Sequence, residues 1–189
     1  LPMPFASPAV FLTVVDGAFF EELAQRDRIK AVPTTIVDQQ YRWTGALSAD
    51  QLGDALDQRD PAKAGRATLE RSVLGGGAGD LARLMIDRNR IFPALAELLV
   101  EENFSLRLAA MVTMEELAQN APELAAAFID PLWERFSEAA VPVKGDILYI
   151  FGEIGSPRSL PYLETVLNDA HHPDVLEAAD EAIEKIKQT

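Results

Sequence analysis

The spacing of hydrophobic residues changes near Asp60, and this change predicts two domains, residues 1–59 and 60–189. Before that point, three short runs are rich in β-branched and aromatic residues, which is typical of strands. These runs are residues 10–15, 34–37 and 41–44. After it, apolar residues recur at the three- and four-residue spacing of amphipathic helices. The predicted fold class is therefore mostly α, with a small α/β segment at the start.

Two helices are expected within the first domain. Phe19, Phe20 and Leu23 lie on one helical face and predict a short helix after the first strand. Ser48 and Gln51 have the spacing of a capping box, in which the serine accepts from a first-turn amide and the glutamine reaches back. This box predicts a helix that ends near residue 58. The expected order is strand, helix, strand, strand, helix.

Cap residues and prolines divide the second domain into about eight helices. Their starts are marked by Asp60-Pro61, Ser105, Pro122, Ser156-Pro157 and His172-Pro173. The predicted spans are residues 62–73, 79–88, 91–102, 105–119, 122–138, 142–154, 158–168 and 173–187.

Three of these helices carry matching apolar stripes, which indicates an internal repeat. At an offset of 32 residues, the matched pairs are Val143 and Val175, Ile147 and Ala179, Ile150 and Ala182, Phe151 and Ile183, and Ile154 and Ile186. At an offset of 37, Leu106, Ala110, Met114 and Leu117 match Val143, Ile147, Phe151 and Ile154, while Arg107 matches Lys144.

The segment from Gly152 to Leu163 ends one helix at a glycine and begins the next after Ser156-Pro157. This segment resembles the turn of a HEAT-type repeat. The resemblance implies that residues 60–189 form a helical solenoid, in which stacked helix pairs present a shared surface to a partner.

Val32-Pro33-Thr34, followed by a hairpin and by Trp43-Thr44-Gly45-Ala46-Leu47, resembles the C-terminal half of a thioredoxin or glutaredoxin domain. The resemblance covers about residues 10–58. It implies a cis Val32–Pro33 peptide and a peptide-binding site at Val32, Pro33 and Thr34, where the Val32 backbone holds an extended substrate. It also implies that the half bearing Cys-x-x-Cys precedes Leu1, so the chain is expected to be part of a longer protein.

Composition excludes several kinds of chemistry. The chain has no cysteine and therefore no thiolate for disulfide exchange. His171 and His172 are adjacent in a helix connection, unlike the paired histidines of a helical zinc site. The glycine run at residues 75–79 lacks the Lys-Ser/Thr ending of a phosphate-binding loop and is expected to connect two helices. No catalytic residue, metal or cofactor is predicted.

The net charge of −13 bears on the expected partners, and the lengths of the apolar runs bear on the expected location. Binding to nucleic acid needs clustered Lys and Arg, so nucleic acid is not expected. No apolar run approaches the ~20 residues that span a bilayer, and the chain opens without a signal-peptide pattern. A soluble, cytoplasmic protein without membrane contact is expected.

Glu177, Asp180, Glu181 and Glu184 fall at i, i+3, i+4 and i+7, opposite the apolar stripe of the last helix. Together with Glu153, and with Asp146, Glu115 and Glu116 on the preceding helices, they are a candidate acidic face for a basic peptide. A solvated helix face explains the same pattern. The tryptophans at 43 and 133 and the phenylalanines at 92, 104, 128, 136 and 151 are expected to pack in the core.

Two functions follow from these patterns. The first, which we favour, is a protein or peptide interaction module without catalysis in this chain. The second is a thiol–disulfide oxidoreductase of the thioredoxin type whose cysteines lie upstream of Leu1. A HEAT-like bilin lyase is a third, suggested by the repeat turn alone. A second copy of the chain is also a candidate partner, through exposed strands.

Overall fold

A computed structural model describes residues 10–38, 41–50, 52–53 and 65–188 of the chain. These residues are mostly α-helical and include one two-stranded sheet. The chain divides into two compact units, Leu1–Arg59 and Asp60–Thr189. The expectation of a mostly α fold is confirmed.

The first unit contains one short helix and one hairpin. Helix α1 spans Glu21–Arg26, and the antiparallel strands β1 and β2 span Thr34–Val37 and Tyr41–Thr44. Asp38 begins the hairpin turn with a left-handed φ of 51°, a conformation that aspartate tolerates better than most residues. Residues 49, 50, 52 and 53 are helical, as the capping box predicts, and the rest of that helix lies outside the described residues.

The prediction of a strand at residues 10–15 was wrong. These residues have no regular secondary structure, and all but Val10 are exposed. A strand requires a partner for its backbone groups, and in the described part of the chain the sheet consists of β1 and β2 alone. The β-favouring composition of the segment was therefore not sufficient to make it a strand.

The second unit is mainly helical in its described residues. Its helices are α2 (Arg66–Leu74), α3 (Ala78–Arg88), α4 (Ala94–Leu98), α5 (Phe104–Asn120), α6 (Pro122–Ala125), α7 (Ile129–Phe136), α8 (Val141–Ile154), α9 (Leu160–Asn168) and α10 (Pro173–Gln188). Two 3₁₀ turns, Ala126–Phe128 and Pro157–Ser159, join α6 to α7 and precede α9.

The predicted helix boundaries differ from the observed ones at a few points. The span expected at 91–102 is reduced to α4, and the span expected at 122–138 is interrupted by a 3₁₀ turn. Helix α5 begins at Phe104 rather than at Ser105, because the Asn103 side chain accepts a hydrogen bond from the Leu106 amide at 3.2 Å. The Asp60-Pro61 start lies outside the described residues.

The apolar stripes of the internal repeat form the core of the second unit. Helix α5 packs against α3 and α8, and α8 packs most extensively against α10. All apolar positions matched at the offsets of 32 and 37 are buried, whereas of the basic pair Arg107 is buried and Lys144 is half-buried. Gly155 ends α8 with a left-handed φ of 66°, and the Ser156 side chain caps the following 3₁₀ turn, as the sequence predicts.

The described helices include none that combines the length and the apolar character needed to cross a bilayer.

Candidate functional site

The Val32-Pro33-Thr34 loop leads directly into β1. The Val32–Pro33 peptide is cis, as expected, and the Val32 residue is 77% exposed. The loop is held by two hydrogen bonds: the Gly45 amide donates to the Pro33 carbonyl at 2.7 Å, and Thr34 Oγ1 donates to the Ala31 carbonyl at 2.6 Å. Within the described residues, neither the amide nor the carbonyl of Val32 has a hydrogen-bond partner.

The hairpin register determines which backbone groups of β1 point away from β2. Thr35 lies opposite Trp43, and Thr34 lies opposite Thr44. The Gly45 amide donates to the Pro33 carbonyl, and hydrogen-bonded pairs alternate along an antiparallel ladder. The hydrogen-bonded positions are therefore Pro33, Thr35 and Val37, whereas Thr34 and Ile36 are not bonded to β2. The amides and carbonyls of Thr34 and Ile36 therefore point to the other edge, where the described residues provide no further strand.

One face of the hairpin is anchored by buried side chains. Val37 and Trp43 are buried, and the register places them on the same face because their positions alternate with those of Ile36 and Arg42. The expectation that Trp43 packs is confirmed. These two buried side chains hold the hairpin, and with it the outer edge of β1, in one orientation.

The predicted acidic face contains four exposed carboxylates on α10 and one ion-paired carboxylate on α8. Glu177, Asp180, Glu181 and Glu184 are all exposed on α10, and among the described residues their carboxylates have no ion-pair partner. Glu153 lies on α8 and is engaged in an ion pair with Lys185. The four exposed carboxylates need no ligand to explain them, since water solvates them.

A polar network links α5, α8 and α10 on one side of the helical unit. The Tyr149 hydroxyl donates to Glu115 Oε1 at 3.0 Å, and Lys185 Nζ lies 5.8 Å from the centre of the Tyr149 ring. Partial burial, together with the Glu153 and Glu115 carboxylates, raises the pKa of the Tyr149 phenol well above its ordinary value. The phenol therefore remains a hydrogen-bond donor at all physiological pH values.

Arg107 forms the second link between α5 and α8, and the sequence did not predict this contact. Its side chain is buried, its Nε donates to Asp146 Oδ2 at 2.5 Å, and its Nη1 donates to the Glu101 carbonyl at 2.5 Å. The alignment of Arg107 with Lys144 indicated a repeated basic position. The partner of Arg107 lies 39 positions away, so only the packing of α5 on α8 reveals it.

Three large apolar side chains of α5 are exposed beside this network, and the Tyr149 side chain within the network is exposed as well. Phe104, Leu108 and Val112 follow one another at four-residue intervals on α5, and Tyr149 lies on α8. Their exposed fractions range from 41% to 60%. We call these four residues the apolar patch. The sequence contains a signal for the apolar patch. Helix α5 has apolar residues at positions 104, 108 and 112 in addition to its buried apolar stripe.

The other aromatic residues behave mostly as predicted. Phe92, Phe128, Phe136 and Phe151 are buried, whereas the expectation that Phe104 packs in the core was wrong. Phe104 begins α5 on the open side of the helix, where its ring covers the Arg107 guanidinium at 5.5 Å. The Trp133 ring stacks on Phe136 and Tyr162, with centroids 4.9 and 4.7 Å apart, which supports a packing role.

The histidines and the first three glycines of the glycine run lie in connections between helices. His172 precedes α10 and its Nδ1 accepts from the Asp174 amide at 3.3 Å, as expected of a capping residue, while His171 packs edge-on against Phe136. The glycines join α2 to α3 in a tight turn, where the Gly77 amide donates to the Ser72 carbonyl at 2.8 Å. No group of three potential metal ligands occurs among the residues that the structure describes.

A small pocket lies where α6 meets the end of α8. It has a volume of about 140 Å³ and is lined by Pro122, Glu123, Ala126, Ile154, Gly155, Ser156 and Pro157. Sites for small molecules usually measure ~300–1,000 Å³, so this pocket is too small to suggest a substrate.

Among the residues that the structure describes, the outer edge of β1 has unpaired backbone groups, and the apolar patch exposes large side chains. Comparison of the chain with protein-family models, with curated proteins and with solved structures finds no match.

Proposed function

We propose that this chain is a protein-binding module in which an extended segment of the partner adds to the outer edge of β1. One observation carries the proposal: Thr34 and Ile36 direct their amides and carbonyls away from β2, and the described residues leave them unpaired. Such an edge is a template for another strand. Two hydrogen-bonding residues, each with a donor and an acceptor, fix the register of the added segment.

Val32 extends this edge. Its unpaired amide and carbonyl lie just before β1, across the cis Val32–Pro33 peptide, and offer the partner a further donor and acceptor. Its exposed side chain adds an apolar contact at the end of the edge. These features support binding at Val32, Pro33 and Thr34, the residues to which the thioredoxin-like resemblance assigns substrate binding.

No chemical step is proposed for this chain. Thiol–disulfide exchange begins with a thiolate, and the 189 residues contain no cysteine. Strand addition needs only backbone groups and side-chain contacts, and all of these are present at β1.

For the second unit, we propose a HEAT-like solenoid that serves as a scaffold. The buried stripes repeat at offsets of 32 and 37, and α3, α5, α8 and α10 pack in sequence, each against the next. This arrangement supports a repeat architecture, in which each helix pair buries its apolar face against its neighbours. A scaffold of this kind presents the exposed sides of successive helices as one surface.

Proline substitution at Ile36 tests strand addition. Proline lacks an amide hydrogen and is tolerated at edge strands when that hydrogen would face solvent. We therefore expect Ile36→Pro to keep the hairpin and to weaken binding of short peptides, selected from a random displayed library, by about tenfold or more. The measurement is peptide affinity by fluorescence anisotropy.

Two control variants separate the edge from the fold. Ile36→Val keeps the amide and should bind like the wild type, whereas Thr35→Pro removes an amide that faces β2 and should disrupt the hairpin. If Ile36→Pro binds the selected peptides as well as Ile36→Val does, strand addition at this edge is wrong.

We also propose that a second copy of the chain can supply the added strand, because each copy has the same outer edge of β1. Self-association through β1 should appear in light scattering as the concentration rises and should be abolished by Ile36→Pro. A wild-type monomer at every attainable concentration would contradict pairing between copies.

A further inference from the structure

The apolar patch of the helical unit is a candidate interaction surface that differs from the β1 edge. Leu108 and Val112 lie one turn apart on α5, and Phe104 lies one turn before them. Tyr149 joins them from α8 through its hydrogen bond to Glu115, which lies on the same side of α5 as Val112. The α5 part of the patch extends for ~12 Å along the helix.

Carboxylates surround this patch. Glu115 and Glu116 follow Val112 by three and four residues, and Asp146 and Glu153 lie within one turn of Tyr149. The cations beside them, Arg107 and Lys185, are engaged in ion pairs with Asp146 and Glu153. The surroundings of the patch therefore carry a net negative charge, which is complementary to a basic partner.

The patch favours a helical partner over an extended one. It is built from the middle of α5 and α8, where the backbone amides and carbonyls bond within their own helices. An extended peptide placed there would bury its own backbone groups without partners. A helix satisfies its backbone internally and presents apolar side chains at i, i+3, i+4 and i+7.

The contacts beneath the patch hold it in one arrangement. The Arg107–Asp146 ion pair and the Tyr149–Glu115 hydrogen bond join α5 to α8, and the Lys185–Glu153 ion pair joins α8 to α10. Gly152 lets α8 and α10 approach closely, because a Cβ at this position would lie 3.2 Å from the Ala182 Cα. Such a surface is formed before the partner arrives, which reduces the entropic cost of binding.

We propose that Phe104, Leu108, Val112 and Tyr149 bind the apolar face of a basic amphipathic helix, with the surrounding carboxylates contacting its Lys and Arg side chains. This inference does not depend on strand addition at β1, since it uses other residues and another type of partner.

Three synthetic peptides of about 18 residues, or five helical turns, test the proposal. The first places leucine on one helical face and lysine elsewhere, the second scrambles that composition, and the third replaces lysine by glutamate. We expect the first to bind the full chain at least about tenfold more tightly than either of the others. The measurement is isothermal titration calorimetry at physiological salt.

Matched variants assign the binding to the patch. Leu108→Gln should weaken binding of the leucine–lysine peptide about tenfold, while Leu167→Gln, at a leucine that is exposed to a similar extent on α9, should leave it unchanged. Glu116→Gln should weaken binding of the leucine–lysine peptide. Glu164→Gln on α9 removes the same charge away from the patch and should change the affinity little. Circular dichroism verifies that each variant is folded.

Two results would overturn the proposal. Equal affinity for the ordered and scrambled lysine peptides would reduce the interaction to general attraction between opposite charges. Equal weakening by Leu108→Gln and Leu167→Gln would show that the patch has no special part in binding. Either result leaves the Ile36→Pro experiment on β1 unaffected, so the two proposals fail separately.

Discussion

At the scale of single residues, Thr113 has a buried side-chain hydroxyl on α5. Its side chain lies on the buried side of α5, and in the described part of the chain Oγ1 makes no hydrogen bond. A buried polar group without a partner costs ~1–3 kcal/mol. Thr113→Val removes this cost and keeps the shape of the side chain, so we expect the free energy of unfolding to rise by about 1 kcal/mol.

Chemical denaturation measures this change, and Thr113→Ser is the matched control. Serine keeps the hydroxyl and removes a buried methyl group, so it should lower the free energy of unfolding by about 1 kcal/mol. A loss of stability in Thr113→Val would mean that the hydroxyl does have a partner in solution.

Tyr149 should titrate at unusually high pH. Partial burial and the Glu153 and Glu115 carboxylates disfavour the phenolate and raise the pKa of Tyr149 above the ordinary 10.0. The folded state therefore holds the proton more tightly than the unfolded state. Stability from this phenol is complete below pH ~10 and is lost as the pH rises through the folded pKa.

Ultraviolet titration of the wild type and of Tyr149→Phe isolates this phenol among the three tyrosines. The difference curve should have its midpoint above pH ~10. A midpoint at or below that value would contradict the burial of Tyr149 and its contacts with Glu115 on α5 and Glu153 on α8.

Residue roles were the hardest feature to predict from the sequence. The motif at Val32–Thr34 was visible because neighbouring residues form it. Arg107 and Asp146 are 39 positions apart, and the exposure of Leu108 depends on how α3 and α8 flank α5. Such properties arise from tertiary packing, which a single sequence does not encode in any local pattern.

At the scale of elements, two glycines in α8 have opposite surroundings. A Cβ at Gly145 would meet nothing within 4 Å, whereas a Cβ at Gly152 would lie 3.2 Å from the Ala182 backbone on α10. Gly145→Ala should therefore stabilise the chain by about 0.5–1 kcal/mol through helix propensity. Gly152→Val should destabilise it by about 2 kcal/mol, because the larger side chain forces α8 and α10 apart.

Thermal unfolding monitored by circular dichroism compares the two variants. Since both change a glycine in the same helix, the comparison cancels most effects on the unfolded chain. Equal shifts of the two midpoints would show that α8 and α10 do not cross closely at Gly152.

Helices were predictable because their periodicity is local, and the exceptions have physical causes. Stripes such as Val143, Ile147 and Ile154 are buried as expected. The prediction of a strand at residues 10–15 was wrong because a strand needs a neighbouring strand for its backbone hydrogen bonds. The composition of a segment does not show whether such a neighbour is present. The 3₁₀ turn at Ala126–Phe128 lies inside an apolar run without Gly or Pro, and the predicted helix over 122–138 ignored Pro131, which lies in the first turn of α7.

At the scale of the whole molecule, acidic residues outnumber basic ones. The sequence has 30 acidic and 17 basic residues, and 22 of the acidic ones lie between Asp60 and Thr189. Repulsion among them opposes the compact state. Raising sodium chloride from ~10 mM to ~0.3 M shortens the screening distance to below 10 Å, so we expect stabilisation of about 1 kcal/mol, or ~3 °C in Tm.

The control for this prediction is pH. Near the isoelectric point of about 4.5, repulsion is balanced by attraction, and the same salt increase should leave the Tm unchanged or lower it. A fall in Tm with salt at neutral pH would show that ion pairs such as Arg107–Asp146 outweigh the net repulsion.

The central claim is that a partner segment adds as a strand to β1, and amide hydrogen exchange by NMR tests it most directly. In the chain alone, the amides of Thr35 and Val37 should be protected by β2, while those of Thr34 and Ile36 exchange quickly. Saturation with a selected peptide should slow exchange at Thr34 and Ile36 by about tenfold or more. Unchanged exchange at both residues in the saturated complex would contradict strand addition.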